Sequence, residues 1–343
     1  MNFASRLSAF VLGAGLACAS SAALAWGGDG HRTVGALADR LLEGSRAGAQ
    51  VATLLGGGLR LEDAAVWADC AKGVERDGYG YRYGSQGKYR DCARFETTRG
   101  EAEMVDFVRR NDDNCRREPG DETCHKQYHY ADVALQRRAY ALGRVGTSDV
   151  DVVSATTAAI RVLQGRPAPW PFSIRDRREA LLLLAHYVGD IHQPLHVGAL
   201  YLDQNGRRVD PDNDGFDRRS ETRGGNEIRV LRDNGRDGPN LHALWDDLPA
   251  ALKPHNIDAG WVAAARRVKP SDGPLDDWAA QWASQSLGQA RRGLKDLDFS
   301  PKTEGRWQTR LPADYRDSID DIKQTQLTLA GARLAQVLKA IWP

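Results

Sequence analysis

The chain has 343 residues, a formal net charge of +1 and 41% hydrophobic residues, enough for one large domain or two ordinary ones. So even a balance of charge gives no general attraction to nucleic acid or to an anionic membrane, and any polyanion has to be drawn by a local site. Past the first 25 residues, no stretch approaches the roughly 18 consecutive apolar residues of a membrane span, so no membrane anchoring is expected.

Residues 1–25 read as a secretory signal: Arg6 is the positive end, Phe10 to Leu16 the apolar run, and Ala23-Leu24-Ala25 a small-residue cleavage site. Cleavage there makes Trp26 the new N-terminus and leaves one expected domain over 26–343. Helical periodicity dominates that domain. Helices are expected at about 31–44, 46–57, 61–72, 100–110, 123–143, 147–164, 174–193, 240–252, 258–268, 275–294 and 316–341. Ser173 is the expected N-cap of the 174–193 helix. Only Glu227 to Leu231 alternates as a strand, read as one arm of a small hairpin. The expectation is a mostly α, multi-helix domain with long loops at about 76–98, 111–122 and 201–226.

Trp26-Gly-Gly-Asp-Gly-His31 follows the cleavage site. A free amino group chelates a metal together with its own carbonyl, and His31 can fold back over the glycines to the same ion. Trp67-Ala68-Asp69 closes a helix, with Lys72 three residues on. Tyr79, Tyr81, Arg82 and Tyr83 then belong to a run that interleaves rings with cations, as a single-strand stacking platform does; a surface loop is the alternative. Four cysteines remain after cleavage: Cys70, Cys92, Cys115 and Cys124. An even count in an exported chain suggests two disulfides, and four cysteines allow three connectivities. Short separations favour Cys70–Cys92 and Cys115–Cys124; metal-ligating thiols are the alternative, without a C-x-x-C spacing to support it. His125 and His129 are spaced i, i+4; His129, flanked by Tyr128 and Tyr130, is the ligand candidate, and His125 reads as an exposed helix residue.

The densest stretch is Leu181 to His196, LLLLAHYVGDIHQPLH. It opens apolar on every face, as a helix buried on all sides requires, and then carries His186, Asp190, His192 and His196. Such groups are costly to bury unless paired or metal-bound. His186 and Asp190 share a face one turn apart, and Pro194 ends the helix and frees His196. Asp210, Asp212, Asp214 and Glu221 fit D-x-D-x-D-G-x5-E, the spacing of a Ca²⁺ loop, although Asp217 stands at a position normally apolar; a solvated acidic loop is the alternative. Further on, Asn240 is the expected N-cap of a helix that sets His242 and Asp246 one turn apart; taken alone, the pair reads as part of an amphipathic surface helix.

In order, W-x4-H at Trp26, WAD at Trp67, HY-x-D at His129, H-x3-D-x-H-x3-H at His186, GGN at Gly224 and NLHALWD at Asn240 run over most of the chain. This set resembles the trinuclear-zinc, single-strand-specific nucleases, relatives of zinc-dependent phospholipase C, and suggests an exported bacterial member. The resemblance implies three Zn²⁺. One is held by Asp69, His129, His186 and Asp190, and a second by the Trp26 amino nitrogen and carbonyl, His31 and the bridging Asp190. The third is held by His196, His242 and Asp246. His192 is not a ligand in that pattern and is expected in the second shell or core. The implied reaction is attack of metal-activated hydroxide on a phosphodiester of single-stranded DNA or RNA, giving 5′-phosphates, with 3′-nucleotidase activity besides. Lys72 stands where the family usually has Arg and would neutralise a phosphate oxygen; Tyr130 and Asn226 would meet the nucleotide. A monomer in the periplasm or outside the cell is expected. The rival readings are a phospholipase C and a non-catalytic exported protein that binds metal or nucleic acid.

Overall fold

The computed structural model describes residues 26–78, 80–117 and 121–343, so the leader expected at 1–25 and Tyr79 lie outside the described residues. The helices are α1 Gly27–Leu42, α2 Arg46–Leu55, α3 Leu61–Ala64, α4 Trp67–Ala71, α5 Thr98–Asp113 and α6 Cys124–Gln127. They continue with α7 Val152–Leu163, α8 Arg177–His192, α9 Leu241–Asp246, α10 Ala259–Arg266, α11 Trp278–Leu294 and α12 Tyr315–Ile341. Strands are short. β1 Val74–Asp77 and β2 Gly80–Tyr83 form a hairpin; β3 Val133–Ala134 pairs in parallel with β4 Gly198–Ala199. β5 Ile228–Leu231 lies between antiparallel β6 Asp237–Asn240 and parallel β7 Trp307–Thr309. The fold is mostly α, as expected.

Helix α8 is the axis of this arrangement. Every residue from Glu179 to His192 is buried, because α1, α3, α4, α7, α11 and α12 pack around it. Complete burial of each leucine in Leu181–Leu184 contributes on the order of 1.5–3 kcal/mol, which offsets the cost of the polar groups one and two turns later. The helix starts after Asp176, whose carboxylate accepts from Glu179 N at 2.8 Å. Ser173 does not cap it: its backbone N–H donates to Asn111 Oδ1 at 3.0 Å, well before the first turn.

Other expected elements are also revised. The helix expected over 123–143 is present only as α6. Its continuation is extended, since Ala131 N donates to His196 O at 2.7 Å and Val133 N to Val197 O at 2.9 Å, an option the local sequence does not reveal. The expected 61–72 helix is split into α3 and α4, and the expected 240–252 helix stops at Asp246. The 76–98 loop contains much of the β1–β2 hairpin. Both favoured disulfides are present: Cys70–Cys92 ties α4 to the segment after β2, and Cys115–Cys124 ties the end of α5 to α6.

Candidate metal centre

Six segments deliver side chains to one place. Helix α8 presents His186 and Asp190, and after Gln193 and Pro194 a 3-10 turn over Pro194–His196 redirects His196. His31 comes from α1, Asp69 from α4, His129 from the turn after α6, and His242 with Asp246 from α9. Three groups result, each with ligand atoms within 4.8 Å of one another: His31, His186 and Asp190; Asp69, His129 and His186; His196, His242 and Asp246. All of these residues are buried. The Trp26 ring is fully buried beside them, with Nε1 donating to Gly189 O at 2.8 Å. Position 189 has to be glycine for this packing: a Cβ there would stand 2.6 Å from His31 Nδ1. The same holds at Gly224, at φ +59°, where a Cβ would meet Leu195 O at 2.5 Å and His242 Nδ1 at 3.1 Å.

The hydrogen bonds assign the imidazole faces. Nδ1 of His186 donates to Ala65 O at 2.6 Å, that of His196 to His129 O at 2.6 Å, and that of His242 to Gly224 O at 2.8 Å. In each neutral ring this leaves the lone pair on Nε2, the outer-sphere arrangement that orients ligating histidines. Those of His196 and His242 then face each other, and that of His186 faces His129 and the Asp190 carboxylate. His196 Nε2 lies 3.1 Å from His242 Nε2, and His186 Nε2 lies 3.0 Å from His129 Nδ1 and 3.1 Å from Asp190 Oδ2. Two lone pairs at such range repel unless a cation sits between them, so this donor set fits divalent metal, and its imidazole and carboxylate types suit zinc. Both ring nitrogens of His31 and Oδ1 of Asp190 are buried without a hydrogen-bond partner, in keeping with that fit.

Asp190 lies between two of the groups. Its Oδ2 is 3.0 Å from His129 Nδ1, while Oδ1 is 3.4 Å from His31 Nε2. Burial works to raise its carboxyl, but His186 and His129 outweigh burial and hold it well below the usual carboxylate range. Asp69 is likewise held low against burial, by Lys72 and then His186; Lys72 Nζ is 2.7 Å from Asp69 Oδ1. Burial pushes His31 down, His129 well down, and His196 down to about 3, keeping these rings in the form that binds metal. At the third group, burial pushes Asp246 up to about 6.

Of two cavities, one is lined by a residue of the three groups, Asp246, and the other by none of them. The first, of about 1140 Å³, reaches from Asp246 to Gly27 and Gly28 at the start of α1. The other, of about 490 Å³, is lined by Tyr130, Asp132, Glu221 and Arg223 among others. Tyr130 is half-buried, with its hydroxyl donating to Glu122 at 3.3 Å. Asp132 was legible as the D of HY-x-D but carried no assigned role; burial, then Glu221, raises it to about 7. Asn226 donates to Arg223 O at 2.9 Å and accepts from Asn240, the N-cap of α9.

Other expected site residues are placed elsewhere. Tyr81 donates to Asp113 and Tyr83 to Glu96, and Arg82 pairs with Asp77 at 3.0 Å; none of the three lines either cavity. His125 is buried rather than exposed, its Nδ1 2.8 Å from Asp112 Oδ1, because the Cys115–Cys124 disulfide draws α6 onto α5. His192 is a core residue: Nδ1 donates to Val188 O at 2.7 Å and Nε2 accepts from Arg333 at 2.8 Å. Asp210, Asp212, Asp214 and Glu221 are not among the groups that converge on one point within the described residues. Arg137 pairs with Asp210 and lies 3.4 Å from Asp212, Asp214 Oδ2 accepts from Asp210 N, and Glu221 lines the smaller cavity.

Comparison with known proteins bears on this geometry. Residues 26–343 match the family model of the S1/P1 nucleases. Endonuclease 5 of Arabidopsis thaliana is 26% identical over 337 residues, 93% of this chain and 91% of the relative. Endonuclease 3 of the same plant is 39% identical over 177 residues, and endonuclease 4 is 30% identical over 180. These two matches take in 48% of this chain and about half of each relative, 51% and 50%.

Proposed function

The chain belongs to the S1/P1 nuclease family, and from that premise we propose that it is an exported, three-zinc endonuclease acting on single-stranded DNA and RNA. Its products are 5′-phosphates, and 3′-nucleotides are substrates too. The catalytic domain spans 26–343, read as a monomer. The observation that carries this reading is the pair of buried imidazole nitrogens, His196 Nε2 and His242 Nε2, that face each other at 3.1 Å with both Nδ1 protons committed elsewhere.

Asp69, His129, His186 and Asp190 would hold one zinc; the Trp26 amino nitrogen and carbonyl, His31 and Asp190 a second; His196, His242 and Asp246 the third. Zinc in such donor sets acts as a Lewis acid and lowers the pKa of water toward neutrality. The chain's own residues do the rest. Lys72, kept protonated against burial by Asp69 and then Asp190, sets a positive charge beside the scissile phosphate and neutralises an oxygen there. Tyr130 offers a ring for a base, with Asp132 on the same cavity wall to accept from base N–H groups. An extended strand can splay its bases into that cavity, whereas a duplex keeps them stacked, which gives the single-strand preference. Two disulfides fit an oxidising compartment, and no helix among the described residues is long and apolar enough to cross a membrane. Calcium in the acidic loop is not part of this reading, since Arg137 already neutralises Asp210.

The test is a substrate panel on protein cleaved before Trp26: single-stranded DNA, RNA, duplex DNA, a 3′-nucleotide and phosphatidylcholine, each with chelator and after zinc is restored. Zinc-dependent cleavage of the single strands and the 3′-nucleotide is expected. Zinc-dependent release of phosphocholine alone would make the protein a phospholipase C instead, and binding of single strands without cleavage would leave it a non-catalytic protein.

A further inference from the structure

The three groups of the centre are not equally supported. His186 and Asp190 stand on a sixteen-residue helix buried on all sides, whereas His242 and Asp246 stand on α9, which has six residues. So short a helix leaves most of its terminal carbonyls without intrahelical partners and is marginal by itself. Two buried polar side chains from outside the group reach it. Gln193 has no exposed surface; its Nε2 donates to Asp246 Oδ1 at 2.7 Å, and its Oε1 accepts from Leu195 N at 2.5 Å. Gln193 is therefore fixed by the turn that aims His196, and it turns the other oxygen of Asp246, Oδ2, toward His242 Nε2 at 3.4 Å.

Lys323 of α12 is the second. It is 3% exposed, and lysine is rarely buried without partners. Its ammonium meets Leu244 O at 3.1 Å, Asp247 O at 2.7 Å and Asp320 Oδ1 at 3.0 Å, so all three donors are placed. Leu244 and Asp247 bracket Asp246 in the chain, and Trp245 Nε1 donates to Tyr315 OH at 3.1 Å, again on α12. Lys323 thus caps the C-terminal end of α9, the end that carries Asp246.

We propose that Gln193 and Lys323 are positioning residues that assemble the third metal-holding group, Gln193 by orienting the Asp246 carboxylate and Lys323 by fixing the backbone that carries it. This rests on the zinc reading above. Two variants separate the roles. Gln193→Glu keeps an oxygen for Leu195 N and removes the donor to Asp246; Lys323→Met keeps the length and removes all three donors. Zinc per chain is measured by elemental analysis after desalting, and zinc release is followed against rising chelator. Melting temperature is read in the chelated state. Wild type is expected to hold three zincs. Each variant is expected to keep two with wild-type resistance and to release one at about ten- to a hundredfold lower chelator; the lost buried hydrogen bonds lower the chelated melting temperature by themselves, so the selective loss of one zinc is the readout.

Three zincs held as tightly as in wild type would overturn the proposal. So would an even loosening of all three, which is what a purely structural role produces. If Lys323→Met does not fold, Gln193→Glu decides alone. A wild-type chain that holds no zinc overturns the metal reading itself, and this inference with it, before any variant is compared.

Discussion

The stretch Leu181–His196 and the loop at 201–226 both crowd metal-ligand residue types into a short span of sequence. In the first, hydrogen bonds to Ala65 O and His129 O take the outer nitrogens of His186 and His196; the inner one of His186 then faces His129 and Asp190, and that of His196 faces His242. In the second, the carboxylates meet scattered protein partners: Asp210 meets Arg137 and Asn213, Asp212 Oδ1 meets Val145 N, and Asp214 meets Asp210 N, while Asp212 Oδ2 is buried without a hydrogen bond, 3.4 Å from Arg137 Nε. Ligand spacing occurs in both regions. What separates them is convergence: the fold gathers ligand atoms of the first region to within 4.8 Å of one another, and does not do so for the loop carboxylates among the described residues.

The largest effect that could break this contrast is at Asp190. Its two oxygens face different groups, so Asp190→Asn is expected to lower single-strand cleavage about a thousandfold or more and to release zinc from both. A variant with full zinc content and activity would show that the carboxylate does not bridge. Next is the N-terminus. One extra residue before Trp26 removes the amino nitrogen from the proposed second site and is expected to cost roughly a hundredfold in activity, whereas cleavage kinetics equal to the wild type would make the terminus a mere tail.

On the side of the loop, Arg137→Ala leaves Asp210 and Asp212 without their cation and is expected to destabilise the fold by about 1–3 kcal/mol in denaturant melts, with cleavage unchanged. Calcium added to the chelated wild type is expected not to move its melting temperature; a rise would show that the loop carboxylates are open to a cation. The smallest expected effect tests a carboxylate outside both regions. Asp132 is raised to about 7 by burial and Glu221. A raised carboxyl contributes stability that is present below its unfolded pKa of roughly 4 and is lost as pH rises through the folded value. Asp132→Asn should therefore gain on the wild type in melting temperature between pH 4 and 8. A difference independent of pH would contradict the raised carboxyl.

Much of the centre was legible because α8 announces itself: four leucines followed by His and Asp at helical spacing leave few alternatives to a buried polar face. The i, i+4 pair on α9 was legible only through the family resemblance, since by itself it reads as an amphipathic surface helix. What was not legible depends on partners distant in sequence. The segment after His129 has helical character, yet its N–H groups are taken by His196 and Val197. His125 looks exposed until a disulfide draws α6 onto α5. The ring-and-cation run around Tyr81 and Tyr83 reads as a stacking surface, yet these two rings line neither cavity, and their hydroxyls donate to Asp113 and Glu96. Gln193 sits in the middle of the densest motif and still gave no signal, because its partner Asp246 is 53 residues away.

The most direct test of the central claim is anomalous diffraction at the zinc edge from crystals of the chain cleaved before Trp26. The account predicts three peaks: one among Asp69, His129 and His186, one between His31 and Asp190, and one among His196, His242 and Asp246. A map with no peak at these imidazoles from protein that still cuts single-stranded DNA would contradict it.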